Sequence, residues 1–282
     1  MNTNQNKQSY ALPIAMMFAL FFMIAFVTGL QNPMGVIVKN QFQASNLLSQ
    51  LGNFANFIAY AFMGIPAGLM LQKIGYKKTA LTAILVGIAG VAITFFSGKI
   101  ESFAVYLIGA FVGGFSMCML NTVVNPMLNT LGGEGKRGNQ LLQFGGTLNS
   151  MGATIVPVLV GYLMGDVAKA TISDANPALF LAIGIFVLAF IVLYSMSIPE
   201  PHIVAEKSTE KNTHSPLSFR HFVLGAIAIF VYVGVEVGIP NIANLYMTGD
   251  LQINATTAGT VVGTYWFLML VGRLTGGVLG SK

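Results

Sequence analysis

Apolar residues along the chain are gathered into eight long stretches, which short polar segments separate. A helix that crosses the hydrocarbon core of a bilayer needs about 20 mostly apolar residues, and each stretch is long enough. The pattern therefore predicts an all-α membrane protein with eight transmembrane helices. The predicted spans are Leu12–Val38, Leu47–Leu71, Thr79–Gly98, Phe103–Leu131, Asn139–Gly165, Pro177–Ile198, Leu217–Met247 and Ala255–Ser281.

The composition supports a surface that faces lipid. Hydrophobic residues make up 55% of the 282 residues and charged residues only 8%, whereas a soluble domain carries about 25% charged residues. The net charge of +5 lies in short loops and not in a basic stripe with interleaved aromatic residues, so nucleic acid is not expected as a partner. We expect a monomer whose partners are the lipid bilayer and a small molecule.

Lysine and arginine residues are distributed unevenly between alternate loops. If the N-terminus is cytoplasmic, nine of these cations lie in inner loops and three in outer loops, as the positive-inside rule requires. The inner cations are Lys7, Lys73, Lys77, Lys78, Lys136, Arg137, Lys207, Lys211 and Arg220, and the outer ones are Lys39, Lys99 and Lys169. We therefore predict a multi-pass protein of the cell inner (plasma) membrane with a cytoplasmic N-terminus.

The segment from Pro199 to Pro216 is charged, flanked by proline and without periodicity. It is predicted to be a cytoplasmic linker between an N-terminal six-helix half, residues 1–198, and the first two helices of a second half, residues 217–282. Glycines and a lysine recur at one offset of 209 residues, which favours a parallel repeat. The matched pairs are Gly29 and Gly238, Gly68 and Gly277, and Lys73 and Lys282. Two complete halves would hold twelve helices, so we expect a C-terminally truncated chain.

The loop after the second span carries a spaced motif of glycines and cations. It reads Gly68-x-x-x-Gln72-Lys73-x-Gly75-x-Lys77-Lys78 and resembles the signature of the major facilitator superfamily. The resemblance implies a major-facilitator-type bundle and a gating loop made of these residues. An acidic residue usually stands where this chain has Gln72, so a charge-pair latch is not implied here. A loop that only sets orientation is the alternative.

A narrower resemblance lies in spans four, five, seven and eight. The matching segments are Leu120-Asn121-Thr122-Val123-Val124-Asn125-Pro126, Leu131-Gly132, Asn149-Ser150-Met151-Gly152-Ala153, Tyr232-Val233-Gly234 and Gly272-Arg273-Leu274-Thr275-Gly276. They resemble the fucose permease and glucose/galactose transporter branch of that superfamily, which implies uptake of a neutral monosaccharide at a central site. The fucose permease has proton-carrying carboxylates in helices one and four. This chain has Asn121 at the corresponding position of helix four and no acid in helix one, so that coupling is not carried over.

Neutral amides recur inside the predicted spans. An amide both donates and accepts hydrogen bonds, as the vicinal hydroxyl groups of a sugar do, and Trp266 offers a ring for the apolar face of a sugar. For each residue alone, an interhelical hydrogen bond or simple packing is an equal alternative, but the set favours a polar cavity. The predicted substrate-binding residues are Gln31, Asn32, Asn53, Asn56, Asn121, Asn125, Gln143, Asn149, Asn241, Asn244 and Trp266.

Glu236 is the one acidic residue well inside a predicted span. A carboxylate within a membrane is a functional candidate by default. It can exchange a proton, bind Na⁺ as an anionic oxygen ligand or accept a sugar hydroxyl, and a structural bond to a neighbouring helix is the alternative. We predict that Glu236 is the coupling group.

Prolines and one arginine also lie within the spans. Pro33, Pro126 and Pro240 adjoin asparagines and are expected to interrupt helices one, four and seven, either to line a site or as packing kinks. Arg273 lies about 13 Å along its helix from Lys282. We expect it to extend to the cytoplasmic surface and not to contact substrate.

These features predict a secondary active transporter that takes up a neutral monosaccharide of the fucose, glucose or galactose type by alternating access. We expect H⁺ or Na⁺ as the coupling ion, with no other cofactor and no metal site, and facilitated diffusion stays open. An efflux carrier for small amphipathic compounds is the nearest alternative, and a non-transporting receptor is a further one. An enzyme is not expected, because no constellation of His, Cys or metal ligands is visible within the spans.

Overall fold

The computed structural model describes residues 10–133, 136–164, 170–200, 215–253 and 255–279, and these residues form helices and no strands. Each of the eight predicted apolar stretches is helical over most of the residues that the structure describes, so the predicted all-α fold is confirmed. The α-helices are α1 (Ala11–Gly29), α2 (Gln31–Gln41), α3 (Asn46–Ser49), α4 (Leu51–Lys99), α5 (Phe103–Leu131), α6 (Arg137–Met164), α7 (Asn176–Ser195), α8 (Arg220–Gly249) and α9 (Ala255–Leu279). Two short 3₁₀ turns cover Ile172–Ala175 and Pro216–Ser218. Residues 201–214 of the predicted linker lie outside the described residues.

Six helical segments of the described chain are long and apolar enough to cross a membrane, by length and composition. They are Ala11–Gln41, Leu51–Lys99, Phe103–Leu131, Ile172–Ser195, Arg220–Asn244 and Thr257–Leu279. The segment Leu51–Lys99 contains two of the eight predicted spans. The fifth predicted span coincides with α6, whose first half is polar because it carries Asn139, Gln140, Gln143 and Asn149.

Helix α4 has 49 residues, which would extend about 74 Å at 1.5 Å per residue. A bilayer core is only about 30 Å thick, so a straight helix of this length would extend far beyond it. The helix is broken by a kink at Gly75, where φ is 83° and ψ is 176°, a conformation that is essentially confined to glycine. The predicted loop between Leu71 and Thr79 is thus a single-residue break, with helix on both sides of it.

Two of the three prolines that were expected to interrupt helices do not break them. Helix α5 continues through Pro126 and α8 continues through Pro240. Only Pro33 lies near a break between helices. Helix α1 ends at Gly29, and α2 begins at Gln31, two residues before Pro33. A membrane helix tolerates an internal proline when neighbouring groups satisfy the freed carbonyl.

Close packing at small residues holds the helices of the first compact unit together, which comprises Met1–Val204 and Leu270–Lys282. A Cβ atom on Gly90 of α4 would lie 2.7 Å from the backbone nitrogen of Gly113 of α5. A Cβ atom on Gly87 would lie 2.5 Å from the ring of Phe186 of α7. Glycine at these points lets the backbones approach as membrane helix interfaces require.

The second compact unit is Ala205–Met269, which holds α8 and the first part of α9. The hydroxyl of Tyr265 donates a hydrogen bond to the carbonyl oxygen of Glu236 at 3.2 Å and so joins the two helices. Large apolar side chains of α8 are exposed, and Phe230 has 81% of its surface accessible. Such a helix is suited to contact with lipid or with other apolar helices and not with water.

Candidate substrate and gating sites

Two predicted site residues of α5 form a hydrogen-bonded cluster with a tyrosine of α4. The side-chain nitrogen of Asn121 donates to the hydroxyl oxygen of Tyr60 at 3.2 Å and to the carbonyl oxygen of Met117 at 3.1 Å. The side-chain nitrogen of Asn125 donates to the carbonyl oxygen of Asn121 at 2.9 Å and more weakly to its side-chain oxygen at 3.5 Å. Tyr60, Asn121 and Asn125 are called the α4–α5 amide cluster below.

The amide cluster includes a residue that the sequence analysis missed. Tyr60 stands four residues after Asn56, so both lie on one face of α4. Asn53 precedes Asn56 by three residues. The recurrence of polar residues on this face was the sequence signal that could have identified Tyr60 as a site residue. An aromatic residue in an apolar helix is common, however, and its partner Asn121 lies 61 residues further along the chain.

Asn53 lies on α4 two turns before Tyr60, and Asn56 lies one turn before it. Asn53 is half-buried, whereas Asn56 is only 1% exposed. The side-chain nitrogen of Asn56 has no hydrogen-bond partner among the described residues, which is costly for a buried amide. The backbone of Asn56 packs against α5, because a Cβ atom on Gly114 would lie 2.3 Å from its carbonyl oxygen.

Gln31 lines a cavity between α1, α2, α4, α5 and α7. The cavity has a volume of about 40 Å³, and Thr94 and Tyr106 are the other polar side chains of its mainly apolar wall. The hydroxyl of Tyr106 is buried and has no partner among the described residues. Gln31 is the one predicted site residue that lines this cavity. Asn32 follows it in α2, and its side chain lies outside the described residues.

One of the two predicted residues of α6, Gln143, lies on the side of the helix that meets the end of α9. Gln143 is exposed and Asn149 is half-buried. A Cβ atom on Gly277 would lie 3.4 Å from the Cβ atom of Gln143, and the side chain of Gln140 donates to the carbonyl oxygen of Gly277 at 3.0 Å. Gln143 therefore lies beside the contact between α6 and the last turns of α9.

Arg273 joins the same contact, which corrects the expectation that it extends to the cytoplasmic surface. Its guanidinium donates to the carbonyl oxygen of Gly146 and to the hydroxyl oxygen of Ser150, both at 3.1 Å. Ser150 is buried. A Cβ atom on Gly146 would lie 3.2 Å from the Cδ atom of Arg273, so the lack of a side chain there gives the arginine its place against α6.

The predicted residues of the second unit lie along α8 and α9. Glu236 is half-buried, and its carbonyl oxygen accepts the hydrogen bond from Tyr265. The half-buried Asn241 donates from its side chain to the carbonyl oxygen of Val237 at 2.9 Å, while Asn244 is exposed. Trp266 is half-buried and packs edge-to-face on Tyr265, with ring centroids 5.4 Å apart. The common chamber for all eleven residues therefore stays a prediction.

The predicted gating loop is hydrogen-bonded to Glu200, an acidic residue of the predicted linker. The two carboxylate oxygens of Glu200 accept hydrogen bonds from the backbone nitrogens of Tyr76 at 2.6 Å and Lys77 at 2.9 Å. These nitrogens begin the helix that follows Gly75, so the carboxylate caps its N-terminus. We call Gly75, Lys77 and Glu200 the Gly75 junction.

Lys77 of the Gly75 junction binds the end of α7. Its ammonium group donates to the carbonyl oxygens of Tyr194 and Met196, which are among the last groups of that helix, and lies 5.8 Å from the ring centre of Tyr194. A cation at a helix C-terminus is favourable. The other predicted loop residues are less engaged: Gly68 is half-buried, while Gln72, Lys73 and Lys78 are exposed.

The described residues hold no group of three or more His, Cys, Asp or Glu that could bind a metal ion. Their functional groups are neutral amides, a phenol and a few separate charges within long apolar helices. Together with the six membrane-length segments, these features define a multi-pass α-helical membrane protein with polar side chains inside the spans.

Comparisons with known proteins give the family. The sequence profile of the Major Facilitator Superfamily matches residues 17–282. The chain belongs to that family. The chain is 29% identical to a glucose/galactose transporter of Brucella abortus, over 96% of this chain and 67% of that protein. It is 25% identical to the L-fucose-proton symporter of Escherichia coli, over 98% of this chain and 69% of the symporter.

The fold agrees with this assignment. A crystal structure of the superfamily transporter FucP in the outward conformation matches with a TM-score of 0.79 and 22% identity, over 97% of this chain and 72% of that one. The predicted bundle and the predicted relationship to the fucose permease and glucose/galactose transporter branch are confirmed. The relatives are transporters, and the chain is a transporter and not an enzyme.

Proposed function

We propose that the chain takes up a neutral monosaccharide by alternating access, with Glu236 as the group that binds the coupling ion. The observation that carries the substrate class is the α4–α5 amide cluster, whose side chains are all neutral. Neutral amides and a phenol suit hydroxyl groups, and the relatives named above are carriers of glucose, galactose or fucose. An anionic or cationic substrate would need an opposite charge beside it in the membrane.

The proposal includes the arrangement of the protein in the bilayer. We infer a cytoplasmic N-terminus in the inner membrane, a six-helix half over residues 1–198, a linker over 199–216 and the start of a second half over 217–282. Two such halves would rock around a central site, and the carrier would act as a monomer. The coupling ion is H⁺ or Na⁺, because either suits a single carboxylate.

Uptake of radiolabelled D-glucose, D-galactose and L-fucose into proteoliposomes tests this function. We expect accumulation of at least one of these sugars above its external concentration when a pH or Na⁺ gradient is imposed. Glu236→Gln should abolish the gradient-driven accumulation and leave sugar exchange intact, because only the ion-binding group is lost. The proposal fails if the wild-type protein moves none of these sugars, and Glu236 is excluded from coupling if the variant still accumulates sugar.

A further inference from the structure

The amide orientations of the α4–α5 amide cluster are determined by the backbone. Asn121 points one side-chain group at the carbonyl oxygen of Met117, and Asn125 points one at the carbonyl oxygen of Asn121. A carbonyl oxygen can only accept, so each of these groups must be the nitrogen and not the oxygen. The usual ambiguity between the two ends of an amide is therefore absent at both residues.

The amide orientations identify which hydrogen-bonding groups of the cluster have no partner among the described residues. The Asn121 nitrogen has two hydrogens and two acceptors within hydrogen-bond distance, the carbonyl oxygen of Met117 and the hydroxyl oxygen of Tyr60. Tyr60 thus accepts from Asn121, and its own hydroxyl hydrogen has no acceptor among the described residues. The side-chain oxygen of Asn125 has no donor there, and that of Asn121 receives only the long 3.5 Å contact.

The residues that carry the open groups are not sealed inside the bundle. Asn125 is exposed, and Tyr60 and Asn121 are half-buried. An unpaired donor and two available acceptors facing hydrocarbon would each be costly. The face that presents them is therefore expected to be wet, as a substrate path is and a lipid-facing surface is not.

We propose that Tyr60 is a substrate-binding residue that donates a hydrogen bond to a sugar oxygen, while the side-chain oxygens of Asn121 and Asn125 accept from sugar hydroxyl groups. The inference rests on the proposed function and deepens it, since it assigns a direction to each hydrogen bond. A sugar fits because its hydroxyl groups accept and donate at adjacent positions. A ligand that only accepts, or only donates, would leave part of the cluster unpaired.

The first test compares Tyr60→Phe with the wild-type protein in proteoliposomes, using whichever of D-glucose, D-galactose and L-fucose is transported best. Loss of one hydrogen bond between neutral groups should weaken binding of that sugar about tenfold, with the maximal rate of exchange changed less. The matched control is Tyr162→Phe on α6, because Tyr162 is 88% exposed and lies outside the cluster. An unchanged apparent affinity for Tyr60→Phe would overturn the inference, whereas failure of the wild-type protein to transport any of the three sugars would overturn the proposed function.

The second test uses the wild-type protein and does not depend on how well a variant folds. Competition by the deoxy and deoxyfluoro derivatives of the transported sugar is measured at each ring position. Fluorine can accept a hydrogen bond but cannot donate one. At the position that meets Tyr60 the fluoro derivative should compete several-fold better than the deoxy derivative, and at the positions that meet Asn121 and Asn125 both should compete equally poorly. The absence of any position where fluorine restores competition would contradict the assigned direction.

Measuring the sugar derivatives on the Tyr60→Phe variant distinguishes a direct contact between Tyr60 and the sugar from a purely structural role of Tyr60. If Tyr60 contacts the sugar, Tyr60→Phe should remove the advantage of the fluoro derivative at one position and leave the other positions unchanged. If Tyr60 only orients Asn121, Tyr60→Phe should leave the advantage of the fluoro derivative in place and weaken every derivative except the one that lacks the hydroxyl group met by Asn121. That result would also overturn the inference.

Discussion

The two polar clusters of the first compact unit differ in what their hydrogen-bonding groups are used for. At the Gly75 junction both oxygens of Glu200 accept from backbone nitrogens, and the ammonium of Lys77 donates to two carbonyl oxygens. At the α4–α5 amide cluster, the side chains bond to one another and to two backbone carbonyl oxygens, and they leave one donor and two acceptors available. Charged groups that are paired with backbone in this way stabilise a fold, whereas the neutral groups with open positions are, in our proposal, available to a sugar.

This difference predicts that substitutions in the two clusters affect different measurements. Changes in the amide cluster should reduce transport and leave stability nearly intact. Changes at the Gly75 junction should reduce stability and leave the affinity of the folded protein for sugar nearly intact.

The largest effect is expected for Asn121→Leu. The variant loses the Asn121 contact to sugar, the bond that orients Tyr60 and the nearby partner of Asn125, at about 1 kcal/mol each. We expect kcat/KM for sugar uptake to fall about 100-fold, while the thermal midpoint in detergent changes by only a few degrees. Thr122→Val is the matched control on α5, because the Thr122 hydroxyl already bonds to the carbonyl oxygen of Cys118. Equal losses in the two variants would contradict a specific role for Asn121.

Gly75→Ala should have the next largest effect. The backbone conformation at Gly75, with φ at 83° and ψ at 176°, costs a residue with a Cβ atom about 2 kcal/mol. The free energy of unfolding, measured by denaturation in mixed detergent, should fall by that amount. Gly64→Ala is the control on the same helix, since a Cβ atom there meets nothing within 4 Å and alanine favours a helix. A Gly75→Ala protein as stable as the Gly64→Ala protein would show that the turn does not need glycine.

Glu200→Ala should have a smaller effect, about 1.5 kcal/mol on the free energy of unfolding. It removes both acceptors from the start of the helix after Gly75, and water can replace part of that cap because Glu200 is half-buried. Glu200→Gln keeps one acceptor oxygen and should lose less than Glu200→Ala. If the two variants are equally stable, the two backbone hydrogen bonds do not contribute as described.

The helices could be predicted from the sequence because their signal is local. Each predicted span is helical over most of its described residues, and the glycine-rich motif at 68–78 coincides with the break at Gly75. The continuity of α5 through Pro126 and of α8 through Pro240 was not predictable, because it depends on which neighbours satisfy the carbonyl groups that proline frees.

The parts of the site that escaped prediction depend on contacts between distant residues. Glu200 belongs by composition to a charged linker, yet it docks on residues more than 120 positions earlier in the chain. Arg273 is suited by its depth to reach the surface, but Gly146 leaves a place for it against α6. Tyr60 had no distinctive spacing apart from its position one turn after Asn56. In each case only the packing of helices determines the partner.

Equilibrium binding of the transported sugar to purified Tyr60→Phe and Glu200→Ala proteins, with thermal midpoints measured on the same samples, tests the contrast between the clusters most directly. The open groups at the amide cluster predict that Tyr60→Phe raises Kd about tenfold at a nearly unchanged midpoint. The paired groups at the Gly75 junction predict that Glu200→Ala lowers the midpoint at an unchanged Kd. The opposite pattern, with Tyr60→Phe unstable but binding normally, would contradict the assignment of the amide cluster to substrate.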